Sequence, residues 1–215
     1  MCNILLSRCY VIDMDHFLPI LLDDLAALIG EIAPEQGPMP TPCPGFDVAT
    51  LQQHVLGWLN AFAVTLSDPE GRHDLDPPSY RGPAQADAAA AEVRRTTEVV
   101  RQSLAAGLEQ ATIQFPLLGG ELPGPVVIDS LAGEVIGHGW DLAVATGREW
   151  NPDPAACESA LATLKSVVLP EYRGPGMPFG PEVVVADNAP ALERLLAFTG
   201  RDPGRTPTLL GSAAS

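Results

Sequence analysis

Lysine occurs once in this chain, at Lys165, and 12 basic side chains face 27 acidic ones, for a formal net charge of −15. So little positive charge excludes an electrostatic footprint for nucleic acid, whose phosphates need clustered Lys and Arg. It equally disfavours an anionic membrane surface. No apolar run approaches the roughly 18 residues needed to cross a bilayer. The opening stretch MCNILLSRCYVID has neither the basic n-region nor the long apolar core of a secretory signal, so the cytoplasm is the expected compartment. Cysteine is sparse as well. Cys2, Cys9, Cys43 and Cys157 show no C-x-x-C spacing, which excludes a zinc ribbon or a thioredoxin-type pair, and they do not amount to a disulfide framework in 215 residues. Nucleophile motifs are missing too: there is no G-x-S-x-G, and Gly119-Gly120 is not a phosphate loop.

Apolar residues make up 46% of the chain and charged residues 18%, a globular balance with enough material for a real core. The patterning is helical. Residues 15–33 place Phe17, Leu21, Leu25 and Leu28 on one stripe, with Gly37 and Pro38 beyond the end and Pro19 read into the first turn. After a proline-rich connector, Asp47 is a natural N-cap for a second helix reaching about Leu66. A third covers about 84–107, with Gly107 at its C′ position, and a fourth about 126–146, ending at Gly147. Between them IQFPLLGGELPG reads as a short hairpin or an irregular loop. Residues 154–169 and 188–200 suggest two further helices around a Pro/Gly-rich stretch. These elements predict an all-α four-helix bundle over 14–150, with a short C-terminal helical extension over 151–203 packed on it. Residues 204–215 read as a flexible tail. A clean helical pattern starts at Met14, so 1–13 reads as an extension upstream of the natural start.

Three polar residues stand out against that pattern. Glu134 and His138 are i and i+4 on a face that otherwise reads Val127, Leu131 and Leu142, so both point into a core. His54 shares the line Leu51, Trp58, Ala61 of the second helix. Burying such groups is costly unless each is paired, and one shared cation satisfies all three. Two imidazoles and a carboxylate are a ligand set of catalytic zinc and also of non-haem iron, with positions left for water or substrate. The ligands come from two helices, unlike H-E-x-x-H. Asp141, three residues after His138, is placed to hold its ring or contact a ligand, or else is a solvated carboxylate near a helix end. Gly133, Gly137 and Gly139 flank the pair, each costing about 1 kcal/mol against alanine inside a helix. Close approach of another helix explains them better than ligand space. His16 and His73 read as exposed, Cys43 as a small buried hydrophobe, and Trp58 and Trp140 as packing residues.

TPCPGFDVATLQQHVLGW (41–58) resembles the opening signature of the DinB/YfiT-like metal-binding bundles, in the actinobacterial branch that includes mycothiol-dependent maleylpyruvate isomerase. EVIGHGWDLAVATGRE (134–149) resembles the second signature of that branch, and LERLLAFTGRDP (192–203) resembles the end of its metal-binding members. The resemblance implies a four-helix bundle holding a divalent ion, usually zinc, through His54, Glu134 and His138. It also implies a small-molecule thiol, mycothiol, activated as thiolate at the metal, and it places Asp141 and Arg201 among the polar groups around cofactor and substrate. Arg201 reads equally as a solvated residue after a helix-ending Gly200. Phe46 stands where that branch carries tryptophan, so the family is expected ahead of the specific isomerisation.

Three functions follow from these residues. The first is a zinc- and thiol-dependent transferase or isomerase acting on a small electrophile. The second is metal-assisted hydrolysis with Asp141 as general base, and the third a non-catalytic metal-binding regulatory or partner-binding bundle. A homodimer is left open.

Overall fold

A computed structural model of the chain describes residues 14–204, with side chains from Phe17 onward. The extension 1–13, the side chain of His16, Cys2, Cys9 and the tail 205–215 lie outside the described residues. The fold is helical, with α1 (Met14–Gly30), α2 (Val48–Ser67), α3 (Ala86–Ala105), α4 (Gly124–Thr146), α5 (Pro154–Val167) and α6 (Ala191–Phe198). One small sheet pairs β1 (Thr112–Phe115) with β2 (Gly120–Pro123).

The predicted boundaries follow their end signals. Asp47 caps α2 by accepting from the Thr50 amide at 2.8 Å, and Thr50 Oγ1 accepts from the Asp47 amide at 3.0 Å, a reciprocal capping box. Gly107 and Gly147 both adopt the left-handed conformation after α3 and α4, as expected of C′ residues. Pro19 differs from expectation: α1 begins at Met14, so the proline is its sixth residue and costs the helix one ladder hydrogen bond.

Both α1 and α2 pack against α3 and α4, which closes a four-helix bundle around a core that includes Leu18, Leu25, Leu51, Leu56, Val93 and Leu131. The segment between α3 and α4 is a true hairpin, in antiparallel register with Thr112 opposite Pro123 and Phe115 opposite Gly120. Its inward residues Ile113 and Phe115 are buried, and Phe115 meets Phe62 of α2 edge to face at 5.0 Å.

The central element is α4, apolar on nearly every face because it touches α1, α2, α5 and α6. Its glycines mark close approaches. A Cβ on Gly133 would lie 3.1 Å from Leu164 of α5, and one on Gly139 would fall inside the Trp150 indole. That indole donates to the Ile136 carbonyl at 3.0 Å. Moving the indole aside would give up that hydrogen bond, so Gly139→Ala is expected to overpack the core and destabilise by about 1–3 kcal/mol, measured by denaturant unfolding.

Asp129 of α4 is buried and accepts from Ser159 Oγ at 2.9 Å and from Thr163 Oγ1, fastening α5 to the bundle. Burial pushes its carboxyl up, against the lowering effect of both hydroxyls. A raised carboxyl takes up a proton on folding, so native stability is lost as pH rises from the ordinary carboxylate range, about 3.9, through Asp129's own value. Asp129→Asn keeps an acceptor and removes the charge. Its melting temperature is expected to exceed the parent's at pH 7, with the gap closing as the pH approaches about 4.

Candidate metal centre

His54 comes from the second turn of α2, and Glu134 and His138 from successive turns of α4, where the two helices face each other. Glu134 Oε1 lies 3.5 Å from His54 Nε2 and 3.5 Å from His138 Nε2. The two imidazoles stand nearly perpendicular, with centroids 5.0 Å apart. These separations are too long for good hydrogen bonds. They match tetrahedral coordination, in which bonds of about 2.0–2.2 Å set neighbouring donor atoms about 3.3–3.6 Å apart. Glu134 Oε1 is buried without a hydrogen-bond partner, although the side chain as a whole keeps 22% of its surface exposed. An orphaned carboxylate oxygen between two ring nitrogens is an arrangement that a divalent cation satisfies. Burial pushes the Glu134 carboxyl up, but His138, His54 and Arg201 outweigh it and hold it below its ordinary range.

Behind the donors lies a second layer. Asp141 has no exposed side-chain surface. Its Oδ2 lies 3.1 Å from His138 Nδ1 and 2.8 Å from Arg201 Nη2, while Arg201 Nε reaches both carboxylate oxygens at 3.1–3.2 Å. The carboxylate assigns the tautomer: Nδ1–H of His138 donates to Asp141, which leaves the Nε2 lone pair directed at the cluster. Arg201 Nη2 also sits 3.2 Å from Nδ1, but as two donors they share Asp141 Oδ2 rather than bond each other. Burial pushes the Asp141 carboxyl up, and the Arg201 guanidinium with hydrogen bonds from His138 and Arg201 overrides it, leaving it below the usual carboxylate range. Burial pulls Arg201 down, yet Asp141 holds it above its ordinary value. The pair is ionised, aligned and enclosed.

All five residues singled out in the sequence therefore gather at one place. Arg201 and Asp141 stand behind His138 and not in front of the three donors. Cys43 is the residue whose surroundings sequence reasoning missed. Half-buried in the 41–46 turn that the Thr41 hydroxyl closes on the Phe46 carbonyl at 2.9 Å, it brings its Sγ within 4.8 Å of donor atoms on His138 and Asp141. The only signal for it was its place inside the first signature. Burial, then Asp141, push its thiol up to about 11, so without a cation beside it the thiol is neutral. Among the described residues no grouping gathers Cys43 with His54 and Glu134, so no fourth His, Cys, Asp or Glu joins the three donors. His73 stays apart, half-buried in its loop beside Asp68. A cleft of about 420 Å³ between Leu28, Glu31 and Trp150 lies elsewhere, and its Arg148 is engaged with Glu31 and Gln36.

The family model for the mycothiol maleylpyruvate isomerase N-terminal domain matches residues 18–143, which takes in the bundle and all three donors. The chain belongs to this family. Two uncharacterised proteins of Mycobacterium tuberculosis, from strains CDC 1551 / Oshkosh and ATCC 25618 / H37Rv, are each 34% identical to it over 180 residues, covering 83% of this chain and 92% of the relative. No solved structure matches. Among the described residues no helix is long and apolar enough to cross a membrane. Arg201 lies outside the matched segment, so the layer behind His138 is completed from beyond the family domain.

Proposed function

We propose that this protein binds a divalent cation, zinc as the resemblance to the metal-binding bundles implies, and uses it with a small-molecule thiol, mycothiol, in transfer to or isomerisation of a small electrophile. The observation that carries this reading is Glu134 Oε1, buried and unpartnered at 3.5 Å from both histidine Nε2 atoms. His54, Glu134 and His138 would hold the cation. A bound cation there lowers the pKa of a coordinated thiol, so that the thiol is presented as the nucleophilic thiolate.

The protein's own residues supply the rest. Asp141 fixes the tautomer and orientation of His138, and Arg201 keeps Asp141 ionised. The side chains of His54 and Glu134 retain 25% and 22% exposure although Glu134 Oε1 itself is buried, so the cluster lies close under the surface, which suits a catalytic better than a closed structural site. The family's printed description, with mycothiol and maleylpyruvate isomerase in it, supports the thiol and the reaction class. Hydrolysis is the weaker reading, because its candidate base, Asp141, is enclosed and committed to Arg201 and His138.

The test is spectroscopic. The cobalt-substituted protein, titrated with mycothiol, is expected to develop a thiolate-to-cobalt charge-transfer band that saturates at one equivalent. Bound cobalt with no response to mycothiol, cysteine or glutathione would remove the thiol from the proposal and favour a non-catalytic metal-binding module.

A further inference from the structure

We propose that Gly137 is a positioning residue of this site: its missing side chain forms the seat on which the Arg201 guanidinium lies, and through Arg201 and Asp141 it sets the ring of His138. The inference rests on the metal reading above for its consequence, and on geometry alone for the seat.

A Cβ built on Gly137 would stand 3.2 Å from Arg201 Cζ and 3.3 Å from both Nη1 and Nη2. Near-equal distances to three atoms of a planar group mean that the flat face of the guanidinium covers this spot. They are also shorter than the ordinary carbon contact of about 3.5–4.0 Å, so an alanine here would push the guanidinium away. The neighbouring glycines behave differently. Gly133 and Gly139 make room for apolar Leu164 and Trp150, whereas Gly137 makes room for a charged group that touches His138 and Asp141.

The guanidinium has little freedom to retreat. Its head is held by both oxygens of Asp141. Its backbone is fixed where α6 ends: Gly200, at φ +89°, donates to Ala197 O at 3.1 Å, and Arg201 donates to Leu196 O at 2.8 Å, the paired bonds of a Schellman motif. Gly200 is itself pressed on the strand of chain at Gly180, where a Cβ would come within 2.6 Å of the Gly180 Cα. A methyl at residue 137 therefore acts on the Arg201–Asp141–His138 chain and not on a loose side-chain end.

The experiment is a double-mutant cycle of Gly137→Ala and Arg201→Ala, with two readouts: cobalt affinity with its ligand-field spectrum, and the melting temperature of the metal-free protein. In the parent background Gly137→Ala is expected to weaken cobalt binding about tenfold, the scale seen when the outer partner of a metal-bound histidine is disturbed, and to shift the spectrum. In the Arg201→Ala background the same change is expected to leave cobalt affinity unaltered and to raise the melting temperature, because alanine is the better helix former once the seat is empty. Should Arg201→Ala not fold, Arg201→Lys replaces it, with a narrower head that still faces Asp141. Equal effects of Gly137→Ala in both backgrounds, within about twofold, would overturn the proposal, since independent sites add. If the parent binds no cobalt, the metal reading fails, and the melting cycle alone decides whether the seat exists.

Discussion

Replacing His138 by alanine should leave the purified protein without bound metal, where the parent, prepared without a histidine tag, is expected to carry one equivalent. Disturbing merely the outer partner of a ligand costs about 10–100-fold in affinity, so deleting one of three ligands should cost more than about a hundredfold. Glu134→Gln should do the same. The amide keeps the shape of the carboxylate but removes the charge that faces His54 and His138 at 3.5 Å. Elemental analysis with a chelator competition measures both. His73→Ala, at the loop histidine beside Asp68, serves as the control and should retain full metal content. Equal metal in parent and His138→Ala would mean that the ion binds elsewhere, and the cluster would then be a polar core without a cation.

The second large effect concerns stability. Arg201→Ala leaves the carboxylate of Asp141, with no exposed side-chain surface, without its counter-charge. Breaking a buried pair from one side costs about 3–5 kcal/mol. For a chain of this size that corresponds to a fall in melting temperature of about 6–20 °C. The pH dependence has a definite sign. In the parent, Asp141 lies below the ordinary carboxylate range, so its contribution is complete above about pH 3.9 and is lost only in stronger acid. In the variant burial is unopposed by arginine and the carboxyl rises, so the folded state gains a proton as the pH falls. The deficit should therefore be greatest at alkaline pH and shrink towards pH 4. Removing both charges, as Asp141→Leu with Arg201→Met, should recover much of the stability but not the metal affinity.

How far these features could be read in advance depended on the range of the interactions. Glu134 and His138 were legible because the helical period is local: i and i+4 share a face whatever the rest of the chain does. His54 was legible because Leu51 and Ala61 mark the inner face of its own helix. The helix ends at Asp47, Gly107 and Gly147 were equally local, each set by a side-chain cap or a left-handed residue. Arg201 was ambiguous for the opposite reason. Gly200 announces a helix end, but where the chain points afterwards depends on its contact with Gly180, and nothing near Arg201 in sequence names Asp141 as its partner. Gly133, Gly137 and Gly139 of α4 looked anomalous in the sequence, but Leu164, Arg201 and Trp150 came to explain them only through the tertiary path of residues 150–201. Cys43 packs against the core as expected of a small hydrophobe, but its neighbours His138 and Asp141 were not legible on the same account, since they come from α4.

The ion pair behind His138 joins residues 60 positions apart. A ribosome adding about 5–20 residues per second delivers Arg201 some 3–12 s after Asp141. Throughout that interval the nascent bundle already owns His54, Glu134 and His138, yet Asp141 has no cation beside it and every reason to stay in water. The enclosure of Asp141 is thus completed only once residues 142–201 have been made, so the layer behind His138 closes later than the helix that carries it.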